Sequence, residues 1–210
     1  MSGIGSKTVD PIRNPEDIQS IKTNLQHHLR DLTLFCISVN NGLRMKDILR
    51  LTVGQVNKLN VGETLWIIET KRKKRVQFVL DDDSHKVLHR YLDYYELTDP
   101  DPLFPQLRNQ RTKSRYVLQQ PLKAIASAQA SRLIKRWCTQ ANLTGLFGCH
   151  TPRKTWGYLM RKYLGLDWAL ICDRYGHANM EVTKTYLGIT ATEVTDILKI
   201  SVTDKNFGKK

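Results

Sequence analysis

The sequence predicts a mainly α-helical domain carrying one small antiparallel β-sheet, an α+β fold. Three observations lead there. Apolar residues recur at helical spacing along most of the chain. That period gives way to β-branched and aromatic runs at TLWIIET (64–70) and RVQFVL (75–80). Helix-start and helix-stop residues punctuate the remainder: Asn14-Pro15, Asn41-Gly42, Gly165, Gly176 and Gly188. The 210 residues suffice for one sizeable core, and no repeat or linker divides them. A single domain over 14–200 is expected, between a flexible arm at 1–13 and a basic tail at 201–210.

Each element has its own signal. Asn14-Pro15-Glu16-Asp17 opens a helix to about Leu25, with a capping Asn, Pro in the first turn and acids at the positive end of the dipole. HLRDLTLFCISVNNG reads as a second helix stopped by Asn41-Gly42, and MKDILRL as a short third one. The basic run between the two apolar strands is too polar for a core and reads as a hairpin turn. DDDSHKVLHRYLDYY has an acidic start and an amphipathic body. ELTDPDPLFPQLR, with three prolines, is a loop. SAQASRLIKRWCTQANL is a helix with Ser127 as its expected cap. Helices at about 151–164, 167–175, 179–187 and 190–199 complete the chain.

Composition narrows the function. Thirty-three Lys and Arg against twenty Asp and Glu give +13, which favours a polyanionic partner. The charge is clustered at Lys71–Arg75 (KRKKR), at Arg108, Arg111, Lys113 and Arg115, and at Arg153, Lys154, Arg161 and Lys162. No apolar run approaches the roughly 18 residues of a membrane span, and no basic amphipathic helix with exposed aromatics marks a membrane surface. The first residues carry no signal-like apolar segment, so a cytoplasmic location is expected. Cys36, Cys138, Cys149 and Cys172 form no CxxC pair, so no disulfide framework or zinc site is expected.

Several residues suit phosphate chemistry. Arg44 opens a helix, against the dipole, so it is misplaced for helix stability and well placed for an anion. His150 and Arg153, in CHTPRKT, flank another helix start. Lys71 enters the basic turn, where a lysine crowded by cations suits proton donation to a leaving oxygen. Arg72, Lys73, Lys74 and Arg75 read as attraction to a DNA backbone, as do Arg111, Lys113, Arg115 and Lys154. His177 stands nine residues before Tyr186, a phenol that needs a base or nearby cations before it attacks anything. Together these groups would neutralise a phosphodiester transition state. No acidic metal cluster and no GxxxxGK[ST] is present, which disfavours a two-metal nuclease and excludes a P-loop NTPase.

Four segments, NGLRMKDILRLTVGQV, TKRKKRVQFVL, HTPRKTWGYLMRK and YGHANMEVTKTYLGI, resemble in this order the signature regions of tyrosine recombinases, the phage integrase family. The resemblance spans about 14–200. It implies that Arg44 and Arg153 hold the scissile phosphate, with Asp47 supporting the site. It implies that Lys71 is general acid to the 5′ oxygen and that His150 assists proton transfer. It makes His177 a phosphate ligand and Tyr186 the nucleophile. The implied activity is site-specific DNA cutting and rejoining through a 3′-phosphotyrosine, without metal, cofactor or ATP. The implied partners are double-stranded DNA, a homo-tetramer formed through the C-terminal helix (Val194, Ile197, Leu198, Ile200), and accessory DNA-bending proteins. Type IB topoisomerase-like relaxation and a catalytically silent DNA-binding regulator are the alternatives.

The chain departs from the family at Pro152, where Leu is common. Only about 13 residues precede the catalytic region, with no N-terminal core-binding domain in this chain, so either a fragment or a naturally short member is expected, the fragment being preferred.

Overall fold

The computed structural model describes residues 8–106 and 122–189. Arg111, Lys113 and Arg115, the expected helix at 190–199 and the basic tail lie outside them.

Helix α1 (Pro15–Leu25) and α2 (Leu29–Asn41) open the fold. The short α3 (Met45–Ile48) and α4 (Val53–Val56) follow. Strands β1 (Thr64–Ile68) and β2 (Arg75–Val79) pair antiparallel, with Thr64 opposite Val79 and Ile68 opposite Arg75. Then come α5 (Asp82–Tyr95), α6 (Ser127–Gln140), α7 (Thr151–Leu164), α8 (Trp168–Tyr175) and α9 (Met180–Leu187). Among the described residues no helix is long and apolar enough to cross a membrane.

Helix α2 is the centre. Leu34, Phe35, Cys36 and Ile37 are all buried, because α1, α5, α6 and α7 surround it. Phe35 meets Trp137 of α6 edge to face at 6.0 Å. Leu88, Tyr91 and Leu92 supply the apolar stripe of α5. Removing one such side chain costs about 2–5 kcal/mol.

Asn41 ends α2 and ties it to the sheet. Its Oδ1 accepts from Val79 N at 3.0 Å and its Nδ2 donates to Val79 O at 2.9 Å. Gly42 then turns the chain in the left-handed region, at φ 58°, and a Cβ there would strike the Trp156 ring. The glycine therefore sets both the turn before Arg44 and the close approach of α7.

A second, smaller core lies under α7, α8 and α9. It holds Ile171, Tyr175 and Leu187, with Trp156, Trp168 and Tyr186 packed on it. A stretch of chain ahead of α1 straps this end. Ile12 N donates to Thr155 Oγ1 at 2.8 Å, Thr151 Oγ1 donates to Asp10 O at 2.9 Å, and Arg13 Nη2 donates to Gly188 O at 3.1 Å. The expected loose arm is thus anchored from Asp10 onward.

Two local expectations change. Asn14 does occupy the cap position of α1, but its side chain makes no cap hydrogen bond and its Nδ2 reaches Asp17 Oδ2 instead. Ser127 is the first residue of α6 and not its cap. Ala126, in extended conformation, holds that position, and its carbonyl accepts from Ala130 N. Burial of Ala130, Leu133, Ile134 and Trp137 fixes where this helix begins. Helix α4 is an addition to the expected elements. Its start is closed by Thr52 N donating to Gln55 Oε1 at 2.9 Å.

Candidate active site

The six residues expected to be catalytic come from five places in the sequence and meet at one cleft. Arg44 caps the start of α3, Lys71 stands in the hairpin turn, and His150 and Arg153 lie at the start of α7. His177 occupies the turn between α8 and α9, and Tyr186 is on α9. Arg44, Asp47, Thr70, Lys71 and His150 line a hollow of about 490 Å³.

Two guanidinium groups converge on a single carbonyl. Arg153 Nη2 donates to Tyr175 O at 2.8 Å, and Arg44 Nη2 approaches the same oxygen at 3.5 Å. Arg153 is buried, with its Nη1 on Gly42 O at 3.0 Å and its fork 4.4 Å above the Tyr175 ring. Burial lowers the proton affinity of both arginines, and for Arg44 its neighbours Arg153 and Arg72 add to the effect. An oxyanion entering here relieves that repulsion.

Tyr186 is half-buried. His150 Nδ1 lies 3.2 Å from its hydroxyl. Its ring packs across those of His177 and Tyr175, at 5.0 and 5.5 Å. Burial raises the phenol's pKa, and Arg153 and then Arg44 oppose that rise. His150 is pushed down by desolvation in the cleft, then by Arg153 and Arg44. It is therefore neutral near pH 7, and in the Nε2–H tautomer its Nδ1 lone pair faces the phenol. His177 falls to about 4 through desolvation, then Arg153 and Arg44, and its Nδ1 meets Thr183 Oγ1 at 3.0 Å.

Asp47 holds the loop that carries Lys71. Its Oδ1 accepts from Thr70 N at 2.8 Å and from Thr70 Oγ1 at 2.5 Å. Lys71, Lys73 and Lys74 are exposed. Arg75 begins β2, with its guanidinium 5.1 Å from the Trp66 ring.

Lys154 corrects an expectation. It is buried, so it offers no exposed charge to a DNA backbone. Its ammonium stands 4.8 Å from the Tyr186 ring, because its place on α7 turns it towards α9.

Two residues of the site escape the sequence reasoning. Buried Glu69 pairs with Arg44 and with Arg72. Tyr175 braces α7, its hydroxyl donating to Arg153 O and accepting from Gly157 N at 3.0 Å. Burial holds that hydroxyl far above the usual phenol range. Tyr175 is thus occupied by the backbone, and Tyr186 is the phenol whose hydroxyl meets His150 of the hollow's lining. Among the described residues no group of three or more His, Cys, Asp or Glu is arranged to hold a metal ion.

The phage integrase family model matches residues 14–193, which takes in every one of these residues. The chain belongs to the phage integrase family. Solved structures agree on the fold of this integrase-family domain. XerA recombinase matches at TM-score 0.66 and 18% identity, over 90% of this chain and 64% of that one. The XerH site-specific recombinase bound to difH substrate, a pre-cleavage complex, matches at 0.63 and 20%, over 95% and 57%. The catalytic domain of bacteriophage HP1 integrase matches at 0.51 and 15%, over 92% and 95%. This integrase-family chain therefore spans 64% and 57% of the two Xer recombinases and nearly all of the isolated catalytic domain. Comparison by sequence with curated proteins gives no match.

Proposed function

We propose that this domain cuts and rejoins DNA at specific sites by transesterification. One observation carries the reading: the half-buried phenol of Tyr186 lies 3.2 Å from Nδ1 of His150, beside two arginines that share one carbonyl.

The step follows from those positions. The Tyr186 oxygen attacks the scissile phosphorus while His150 takes the phenolic proton. Arg44 and Arg153 hold the non-bridging oxygens as charge builds on them. His177, whose Nδ1 meets Thr183 Oγ1, would donate from Nε2–H to the same phosphate. The bond to the 5′ oxygen breaks, and Lys71 protonates that oxygen. Tyr186 then carries the 3′-phosphate, and attack by a 5′-hydroxyl reverses every transfer. The phosphotyrosine linkage conserves the bond energy, so resealing draws on no nucleotide.

The basic turn, Lys73 and Lys74 included, would bind the DNA backbone. Strand exchange would take place in a tetramer joined through residues 190–200, with accessory bending proteins as further partners in the nucleoid.

The test finds the target sequence and the nucleophile together. Nicked, sheared DNA from the source organism is incubated with the protein and denatured in SDS. The covalently retained DNA is then sequenced. Adducts at a defined sequence, absent with Tyr186→Phe, are the expected result. No adduct with DNA binding intact would leave a silent binder, and relaxation without recombinant product would mark a relaxase.

A further inference from the structure

We infer that Arg72 is a further ligand of the substrate phosphate and that Glu69 positions it together with Arg44. The inference rests on the recombinase reading of the cleft. Within that reading, Arg72 departs from its neighbours Lys73 and Lys74, which are exposed charges on the turn.

The argument begins with register. Ile67 and Glu69 are both buried while Trp66 and Ile68 are exposed, so Glu69 continues the inward row of β1. A carboxylate in such a row must be paired. Its two oxygens take two different guanidinium groups: Oε1 pairs with Arg44 Nη1, and Oε2 accepts from Arg72 Nε. Its backbone closes the turn around Lys71, with Glu69 N donating to Lys74 O at 2.9 Å and Lys73 N donating to Glu69 O at 3.0 Å. One residue therefore couples the turn bearing Lys71 to Arg44.

The far side of Arg72 is fixed as well. Its guanidinium lies against Gly176, where a Cβ would overlap Arg72 Nη1. Gly176 sits between Tyr175, whose carbonyl takes Arg44 and Arg153, and His177. Arg72, Gly176 and His177 line one hollow of about 380 Å³. Of the five N–H groups of Arg72, Glu69 takes one at Nε, which leaves Nη donors for an oxyanion. Two guanidinium groups thus share one buried carboxylate, with Arg153 on the neighbouring Tyr175 carbonyl, and the cluster keeps a positive excess that a phosphate can meet.

A hairpin salt bridge with no part in substrate binding would show the same pairing, so the test must separate the two. The full chain is titrated with inorganic phosphate, following the imidazole protons of His150 and His177 by NMR. Arg72→Ala, Arg72→Lys and Glu69→Gln run beside wild type, and thermal midpoints verify folding. Arg72→Ala is expected to weaken phosphate binding about tenfold, as for a lost charged hydrogen bond. Arg72→Lys should recover only part of that, because it cannot serve carboxylate and phosphate at once. Glu69→Gln is expected to tighten phosphate about threefold, since a competing negative charge is gone. On DNA recovered by adduct capture, the same variant should react more slowly, because Arg44 and Arg72 lose their anchor.

Phosphate affinity unchanged in Arg72→Ala and Glu69→Gln, with only the thermal midpoint moving, would overturn the inference. So would a wild type that binds no phosphate at tens of millimolar. If Arg72→Ala fails to fold, the two shape-conserving variants decide. The recombinase reading fails separately, through absence of a Tyr186-dependent adduct.

Discussion

Arg153→Ala should be a folding mutation as well as a catalytic one. The buried side chain donates to Gly42 O at 3.0 Å and to Tyr175 O at 2.8 Å, and it covers the Tyr175 ring. Gly42 O left without its donor costs about 1–3 kcal/mol, and Tyr175 O, which keeps Arg44 at 3.5 Å, adds a smaller loss. Loss of the cation–π contact adds about 0.5–2 kcal/mol. Water entering the vacated space offsets part of this, which leaves about 3 kcal/mol as the expected loss. For a chain of this size that lowers the thermal midpoint by about 6–12 °C. Circular dichroism melts of wild type, Arg153→Ala and His150→Ala supply the comparison. His150 is exposed and bonds Tyr186 only through its ring, so its removal should move the midpoint by less than about 2 °C while suppressing adducts. A midpoint for Arg153→Ala within about 1 °C of wild type would refute the account of Arg153 as the brace between Gly42 and Tyr175.

Further outcomes are expected from the same geometry. Lys71→Ala should stop cleavage of ordinary DNA and regain it on a 5′-bridging phosphorothiolate, whose leaving group needs no proton; absence of rescue removes Lys71 from the acid role. His177 has its folded pKa depressed to about 4 from 6.5, so the unfolded chain binds more protons between those values. Stability from this group is therefore complete above about pH 6.5 and lost as pH falls towards 4. Urea midpoints of His177→Gln should decline less over that window than those of wild type, and parallel declines would rule the contribution out. With site DNA and residues 190–210 present, light scattering should report assembly rising with concentration; a constant monomer mass would remove the docking role of the C-terminal segment.

Much of the fold was legible because its signals are local. Asn41-Gly42, Gly165, Gly176 and Gly188 end helices where the sequence places them, each glycine in the left-handed conformation. The hairpin was legible from its β-branched runs. The gathering of the six site residues was legible only through the family resemblance, since no period relates Arg44 to Tyr186. Lys154 shows the limit of reading charge from composition: a lysine beside the predicted arginine is buried under an aromatic ring. Glu69 did carry a signal, an acid in the inward register of a strand. Its partners Arg44 and Arg72 were out of reach, because one comes from another element and the other depends on how the turn folds back. Helix α4 spans only Val53–Val56, too short for a period to show.

The small core under α8 and α9 has a consequence for how the molecule comes apart. Among the described residues its buried hydrophobic cluster is Ile171, Tyr175 and Leu187, against a main core of many elements. The Arg13–Gly188 hydrogen bond joins chain positions 175 apart in sequence. Such an end opens more easily than the whole molecule unfolds, so its amides should exchange with solvent ahead of those in α2. In the proposed mechanism Tyr186 and His177 thus ride on this smaller core, while Arg44 and Lys71 are fastened to the main one. Opening of that end would carry the phenol away from a bound phosphate while Arg44 and Lys71 stay in place.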